Sequence, residues 1–197
     1  MNEDQKYLYF LTGNFNKFNE VLEIFNKSKL TQYYLLTPSR TEPIEIQANS
    51  VREVAEFKIN SVLDQMNDSF FVEDAGFFVD EPLYGFPGVY SSYVLTVLGN
   101  EGILKLVEGE GETKAHFESV IALYFKPTDE IKIFEGKVEG TLAKKLRGDK
   151  GFGFDPIFIP NELPDKTFSE ISAEEKNKIS HRGQAFSKLI DFLKENI

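Results

Sequence analysis

The 197-residue sequence holds 19 Phe, 8 Tyr, no Trp and no Cys, with 41% hydrophobic and 27% charged residues and a formal net charge of −10. Without cysteine there is no disulfide, no thiolate metal ligand and no cysteine nucleophile. The acidic balance, with a pI near 4.8, disfavours nucleic acid and anionic membrane as partners unless a local cluster of cations overrides it. The opening MNEDQKYLYFLTGN has no basic segment followed by a long apolar run, so no signal peptide is expected. No apolar stretch approaches the roughly 20 residues needed to span a bilayer, and a cytoplasmic location is the expectation.

Lys6–Thr12 (KYLYFLT) reads as a strand, and Phe18, Val21, Leu22 and Phe25 then fall at helical spacing. Between them Thr12, Gly13 and Asn14 bring a hydroxyl, a glycine and an amide to a helix start, where free N–H groups and the dipole favour an anion. Lys17 can reach the same anion. The spacing is neither that of a Walker A loop nor G-x-G-x-x-G, and an ordinary strand–turn–helix capped by Asn14 accounts for it equally well. Tyr33–Leu36 is a second short strand. Ser50–Met66 reads as one helix: Ser50 and Glu53 have the spacing of a capping box, and Val51, Val54, Ala55, Ile59, Val62, Leu63 and Met66 share a face.

Ser69–Glu73 (SFFVE) is an apolar strand expected to end in the acidic pair Glu73-Asp74, whose side chains point to opposite faces. Hard carboxylate oxygens suit Mg²⁺, and Glu45 in EPIEIQ could supply a second ligand, with Glu42 as a competitor. A solvated strand end explains the pair as well. Leu83–Val89 is loop by its glycine and proline content, and Ile103–Val107 belongs to a short helix. His116–Lys126 and Ile131–Val138 form a hairpin through residues 127–130, with His116 read as structural.

The Gly-rich loop Gly148–Gly153 precedes a short strand at Pro156–Ile159. Within it, the glycines of Gly151-Phe152-Gly153-Phe154-Asp155 let a backbone approach a ligand while a ring stacks on it. A core-packing turn fits these residues too. Ser172 and Glu175 could cap a short helix. Ser180–Glu195 includes a terminal helix with Ala185, Phe186, Leu189, Ile190 and Leu193 inward. Lys176, His181 and Arg182 offer cations and donors for a purine carbonyl, or else Ser180 simply caps a helix. Interleaved strands and helices with a central hairpin indicate an α/β fold with a mixed sheet, and no linker divides residues 1–197.

Taken in order, TGNFNK, VEDAGFFVD, GFPGVYSSYV, GFGFDPIF and EKNKISHRGQA resemble the inosine triphosphate pyrophosphatase family from Thr12 to Ala185. PGVYSSYV followed by GNEGILKL is most similar to archaeal members. The resemblance implies an elongated central sheet with flanking helices, and a single domain of two lobes around a nucleotide cleft. It also implies a homodimer, Mg²⁺ dependence and cleavage between the α and β phosphates of ITP or XTP, clearing deaminated purines from the nucleotide pool. By the same resemblance Thr12, Gly13, Asn14 and Lys17 hold the triphosphate, and Glu45 and Asp74 bind the metal. Asp74 orients or deprotonates the attacking water, with Lys17 and Lys58 at the phosphates. Phe152, in a loop continued by Gly153 and Phe154, stacks on the base. Asp155, His181 and Arg182 read its edge, and Lys176 contacts base or phosphate. Ala75, Phe77 and Phe78 depart from the usual pattern. Ser92 stands near where many members place a cation, so only Ser91 is retained as a phosphate contact from that loop.

Overall fold

The computed structural model describes residues 5–111 and 113–197; Met1–Asp4, part of the opening read for a leader, lie outside the described residues. A mixed sheet runs through the molecule. Its strands are β1 (Lys6–Leu11), β2 (Tyr34–Ser39), β3 (Ser69–Val79), β4 (Phe86–Gly88), β5 (Lys114–Phe125), β6 (Glu130–Leu142) and β7 (Phe158–Pro160). The order is β2-β1-β3-β5-β6-β7, with β4 beside β3. β1 is parallel to β2 and β3, whereas β3, β5, β6 and β7 pair antiparallel. The helices are α1 (Phe15–Lys27), α2 (Val51–Asn60), α3 (Ser91–Val97), α4 (Gly99–Leu106), α5 (Ala173–Ile179) and α6 (His181–Glu195). No described helix is long and apolar enough to cross a membrane.

The period of two along β3 and β5 distributes their side chains between two faces. Phe71, Ile121 and Leu123 pack with Val21 and Phe25 of α1 and with Ala185, Phe186, Leu189, Ile190 and Leu193 of α6. Phe70, Val72, Val120 and Ala122 pack on the other face against Val51, Ala55 and Ile59 of α2. A third cluster, including Phe77, Phe117, Phe154, Phe158 and Phe168, fills the far half of the sheet. The predicted capping boxes of α2 and α5 form, and Ser180 caps α6 through Gly183 N.

Three expectations are corrected. The Ser50–Met66 helix ends at Asn60 and gives way to a tight turn at Leu63–Gln65. β3 does not stop at the acidic pair: it continues to Val79, because β5 supplies ladder partners for every residue from Phe70 to Val79. Those backbone bonds outweigh the weak strand preference of Glu73, Asp74 and Gly76. The segment read as a loop around Leu83–Val89 contains β4, held antiparallel to Phe77–Val79.

The extended β3 creates the feature on which the site depends. On one edge it pairs with β1 only through Ser69–Phe71 and with β4 only from Phe77 onward. Residues 72–76 therefore have β5 on one side and no ladder partner on the other among the described residues. Such a break in a sheet opens a crevice where strand ends and helix starts meet.

Candidate active site

A cleft of about 970 Å³ occupies this break and brings together Lys17, Lys58, Asp74, Phe152, Lys176 and Arg182. It also reaches Thr12, Gly13, Asn14, Glu45, Ser91, Gly153, Phe154, Asp155 and His181.

At one end β1 delivers Thr12-Gly13-Asn14 to α1. Asn14 Oδ1 accepts from the backbone N–H groups of Asn16 (3.0 Å) and Lys17 (3.1 Å), and Thr12 Oγ1 accepts from Asn14 N at 3.1 Å. Gly13 faces open space. A ligand at this helix start meets a capped turn, not a row of bare amides.

Alternation on β3 sends the two acids to different helices. Asp74 lies on the α2 face, where Lys58 Nζ is 2.7 Å from its Oδ1 and 3.2 Å from Glu45 Oε2. Burial is the largest influence on Asp74 and raises its pKa; Lys17 and Lys58 oppose this only in part. Burial alone would lower the pKa of Lys58, but Asp74 and then Glu45 raise it. Glu73 lies on the opposite face with no exposed side-chain surface, and its Oε2 is 2.7 Å from Lys17 Nζ. Burial works against its charge, yet Arg182 and Lys17 hold it well below the usual carboxylate range. Ser91 Oγ accepts from Phe77 N at 2.7 Å and donates to Gly88 O at 2.6 Å, which pins α3 and β4 to β3.

At the other end Phe152 sits in a turn flanked by Gly151 and Gly153, both at positive φ. A Cβ on Gly151 would collide with Asp155 Oδ2, so glycine is required there. Asp155 Oδ2 accepts from Phe152 N (2.8 Å) and Lys176 Nζ (2.6 Å). Burial raises the pKa of Asp155 against the pull of Lys176. Lys176 Nζ lies 4.8 Å and the Arg182 guanidinium carbon 5.5 Å from the centre of the Phe152 ring. Gly153 O accepts from Asn100 Nδ2 at 3.0 Å. Phe154 is a core ring, stacked on Phe77 at 4.6 Å.

His181, the first residue of α6, stacks on Phe117 with ring centres 4.7 Å apart and planes 7° apart. It is buried, and its Nδ1 has no hydrogen-bond partner. Burial, followed by the field of Arg182, lowers its pKa well below the ordinary value, so the ring is neutral near pH 7. Two close approaches set its position: a Cβ on Gly136 of β6 would strike His181 O, and one on Gly183 would strike Asn177 O.

The depressed His181 pKa has a sign in stability. The unfolded chain takes up this proton as pH falls through about 6.5 while the folded chain does not, so stability is present above that pH and is lost below it. Between about pH 7 and pH 5, wild type should therefore lose more stability in urea titrations than His181→Asn. Equal losses would show that the folded imidazole is not held neutral.

Sequence reasoning missed Glu20. From α1 its carboxylate accepts from Lys176 (2.7 Å) and Arg182 (2.6 Å). It also missed Ser119 on β5, whose hydroxyl donates to Glu73 Oε1 at 2.7 Å. A hint existed for Glu20, which stands one helical turn after Lys17; Ser119 left none.

Residues 8–192 match the sequence profile of the Ham1 family. A dITP/XTP pyrophosphatase of Thermococcus kodakarensis is 46% identical over 190 residues, covering 96% of this chain and 98% of that protein. One of Ignicoccus hospitalis is 45% identical over 189 residues, covering 95% and 97%. Among solved structures, the Ham1 protein of Staphylococcus aureus superposes with a TM-score of 0.80 at 29% identity, covering 98% of this chain and all of that one (100%).

Proposed function

This chain belongs to the Ham1 family, and from that premise we propose that it hydrolyses deaminated purine nucleoside triphosphates, ITP, dITP and XTP, to the monophosphate and pyrophosphate. The observation that carries the reading is the cleft itself. In a chain of net charge −10, Lys17, Lys58, Lys176 and Arg182 converge on one crevice with Asp74 and the Phe152 ring. A triphosphate carries about four negative charges, and an acidic protein holds it only where cations converge and a divalent metal adds to them.

Residues 1–197 act as one domain of two lobes around the cleft, in the cytoplasm, on free nucleotide. Glu45 and Asp74 would hold Mg²⁺. Both carboxylates already converge on one cation, the Lys58 ammonium, and the hard-oxygen pair matches the one or two carboxylates that Mg²⁺ takes. When bound, the metal supplies charge neutralisation and Lewis acidity at the phosphates. Lys17 and Lys58 bind and orient the polyphosphate, and Asp74, with its raised pKa, accepts the proton of the attacking water. Phe152 stacks on the base. The neutral His181 and the Arg182 fork donate to a 6-oxo group and are left unpaired opposite the 6-amino group of adenine. Residues 82–100 carry no charge and expose Tyr84, Tyr93 and Val97, a face suited to a second copy in the expected homodimer.

The test is pyrophosphate release with Mg²⁺ from ITP, XTP, GTP and ATP side by side. Rapid release from ITP and XTP, little from ATP, and loss of all release on chelation are expected. Equal rates on all four would remove the base-edge roles of His181 and Arg182. No release from any would make the protein a binder of nucleotides.

A further inference from the structure

We propose that Glu73 is a positioning residue that couples the phosphate end of the cleft to the base end, so that the identity of the base is felt at the triphosphate. The inference rests on the pyrophosphatase reading above. Glu73 and Asp74 are neighbours on β3, but only Asp74 faces α2 and Glu45. Glu73 Oε1 takes the Ser119 hydroxyl at 2.7 Å and both Nε and Nη2 of Arg182 at 3.2 Å. Its Oε2 forms an ion pair with Lys17 Nζ at 2.7 Å. One buried carboxylate thus holds a cation from each end of the substrate.

The chain of contacts continues to the stacking ring. Arg182 Nη1 donates to Glu20 (2.6 Å), Glu20 accepts from Lys176 (2.7 Å), Lys176 donates to Asp155 (2.6 Å), and Asp155 accepts from Phe152 N (2.8 Å). Along it the cations Lys17, Arg182 and Lys176 alternate with the carboxylates Glu73, Glu20 and Asp155, so charge balances before substrate enters. A phosphate that draws Lys17 away from Glu73 leaves the Glu73 charge resting on Arg182 and Ser119. A base that offers Arg182 an acceptor steadies that arrangement; one that turns a donor toward it does not. Linkage makes the effect reciprocal between the two ends.

A carboxylate that merely neutralised two lysine-like charges would behave otherwise. Its removal would leave excess positive charge, tighten every triphosphate alike and leave base preference untouched. The experiment compares steady-state kcat and KM of the full chain on ITP and ATP with Mg²⁺, for wild type, Glu73→Gln and Ser119→Ala, with thermal unfolding of each. The ITP-to-ATP ratio of kcat/KM is expected to fall at least about tenfold in Glu73→Gln, through loss on ITP. Ser119→Ala keeps every charge and loosens only the carboxylate, and should lower the ratio about two- to fivefold. If Glu73→Gln fails to fold, Ser119→Ala decides alone. Unchanged ratios in the folded variants, with or without a lower KM, overturn the coupling. A wild type that does not prefer ITP overturns the base-reading assignment and this inference with it, and is told apart by the wild-type data alone.

Discussion

Asp74→Asn is expected to bind ITP and to release almost no pyrophosphate. The substitution is nearly isosteric at a strand position whose backbone pairs with Val120, so the change is one of chemistry and not of shape. Asn neither accepts a proton nor offers the charged oxygen that Glu45 and Asp74 together present. Loss of a positioned base alone lowers kcat about 10²- to 10⁴-fold. Binding should survive within about tenfold, because Lys17, Phe152 and the base-reading residues are untouched. The substitution leaves the buried Lys58 ammonium with Glu45 as its remaining carboxylate, so urea unfolding of the variant is recorded as well. Stopped-flow or steady-state pyrophosphate release, with equilibrium dialysis of ITP, separates the two effects. A variant turning over at the wild-type rate would remove Asp74 from the chemistry.

The sequence made local devices legible and long-range ones nearly invisible. Ser50 with Glu53 and Ser172 with Glu175 are capping boxes three residues apart, and both form as read. The inward face of α6 follows from a helical period within one segment, and all five named residues are buried. β3 misled because its signal is not local. An acidic pair with a glycine two residues on looks like the end of a strand, yet β5, whose ladder partners lie between 36 (Val79 to Ala115) and 54 (Phe70 to Tyr124) positions along the chain, pairs through Val79. The alternation of Glu73 and Asp74 was foreseeable from strand geometry; that one face would meet α1 and α6 and the other α2 was not. Glu20 shows the limit most plainly. Its partners Lys176 and Arg182 lie 156 and 162 residues away, and no periodicity links them. The motif pattern located the cleft, but only the packing of α1 against α5 and α6 shows its cations already paired.

Arg182 carries the second large effect. Its guanidinium is 3% exposed and spans Glu73 on one side and Glu20 on the other, a geometry suited to a rigid planar fork. Arg182→Met leaves each carboxylate with a single lysine, Lys17 or Lys176. Removing one member of such a buried set costs about 3–5 kcal/mol of folding stability. The loss should depend on pH in a definite direction. The pKa values of Glu73 and Glu20 are lowered in the folded protein, against the effect of burial, with Arg182 the largest favourable influence. Their contribution is therefore present above the ordinary Glu value of about 4.3 and is lost as pH falls below it. The gap between wild type and Arg182→Met should be widest near neutrality and close on acidification, as read by urea denaturation. Arg182→Lys divides charge from shape: it restores a cation but cannot reach both carboxylates with fixed donors. It should regain part of the stability and little of the ITP preference. If Arg182→Lys matched wild type in both, the site would need only a positive charge at this position. The fork between Glu73 and Glu20 would then be a packing outcome, and selectivity would fall to His181 and Phe152.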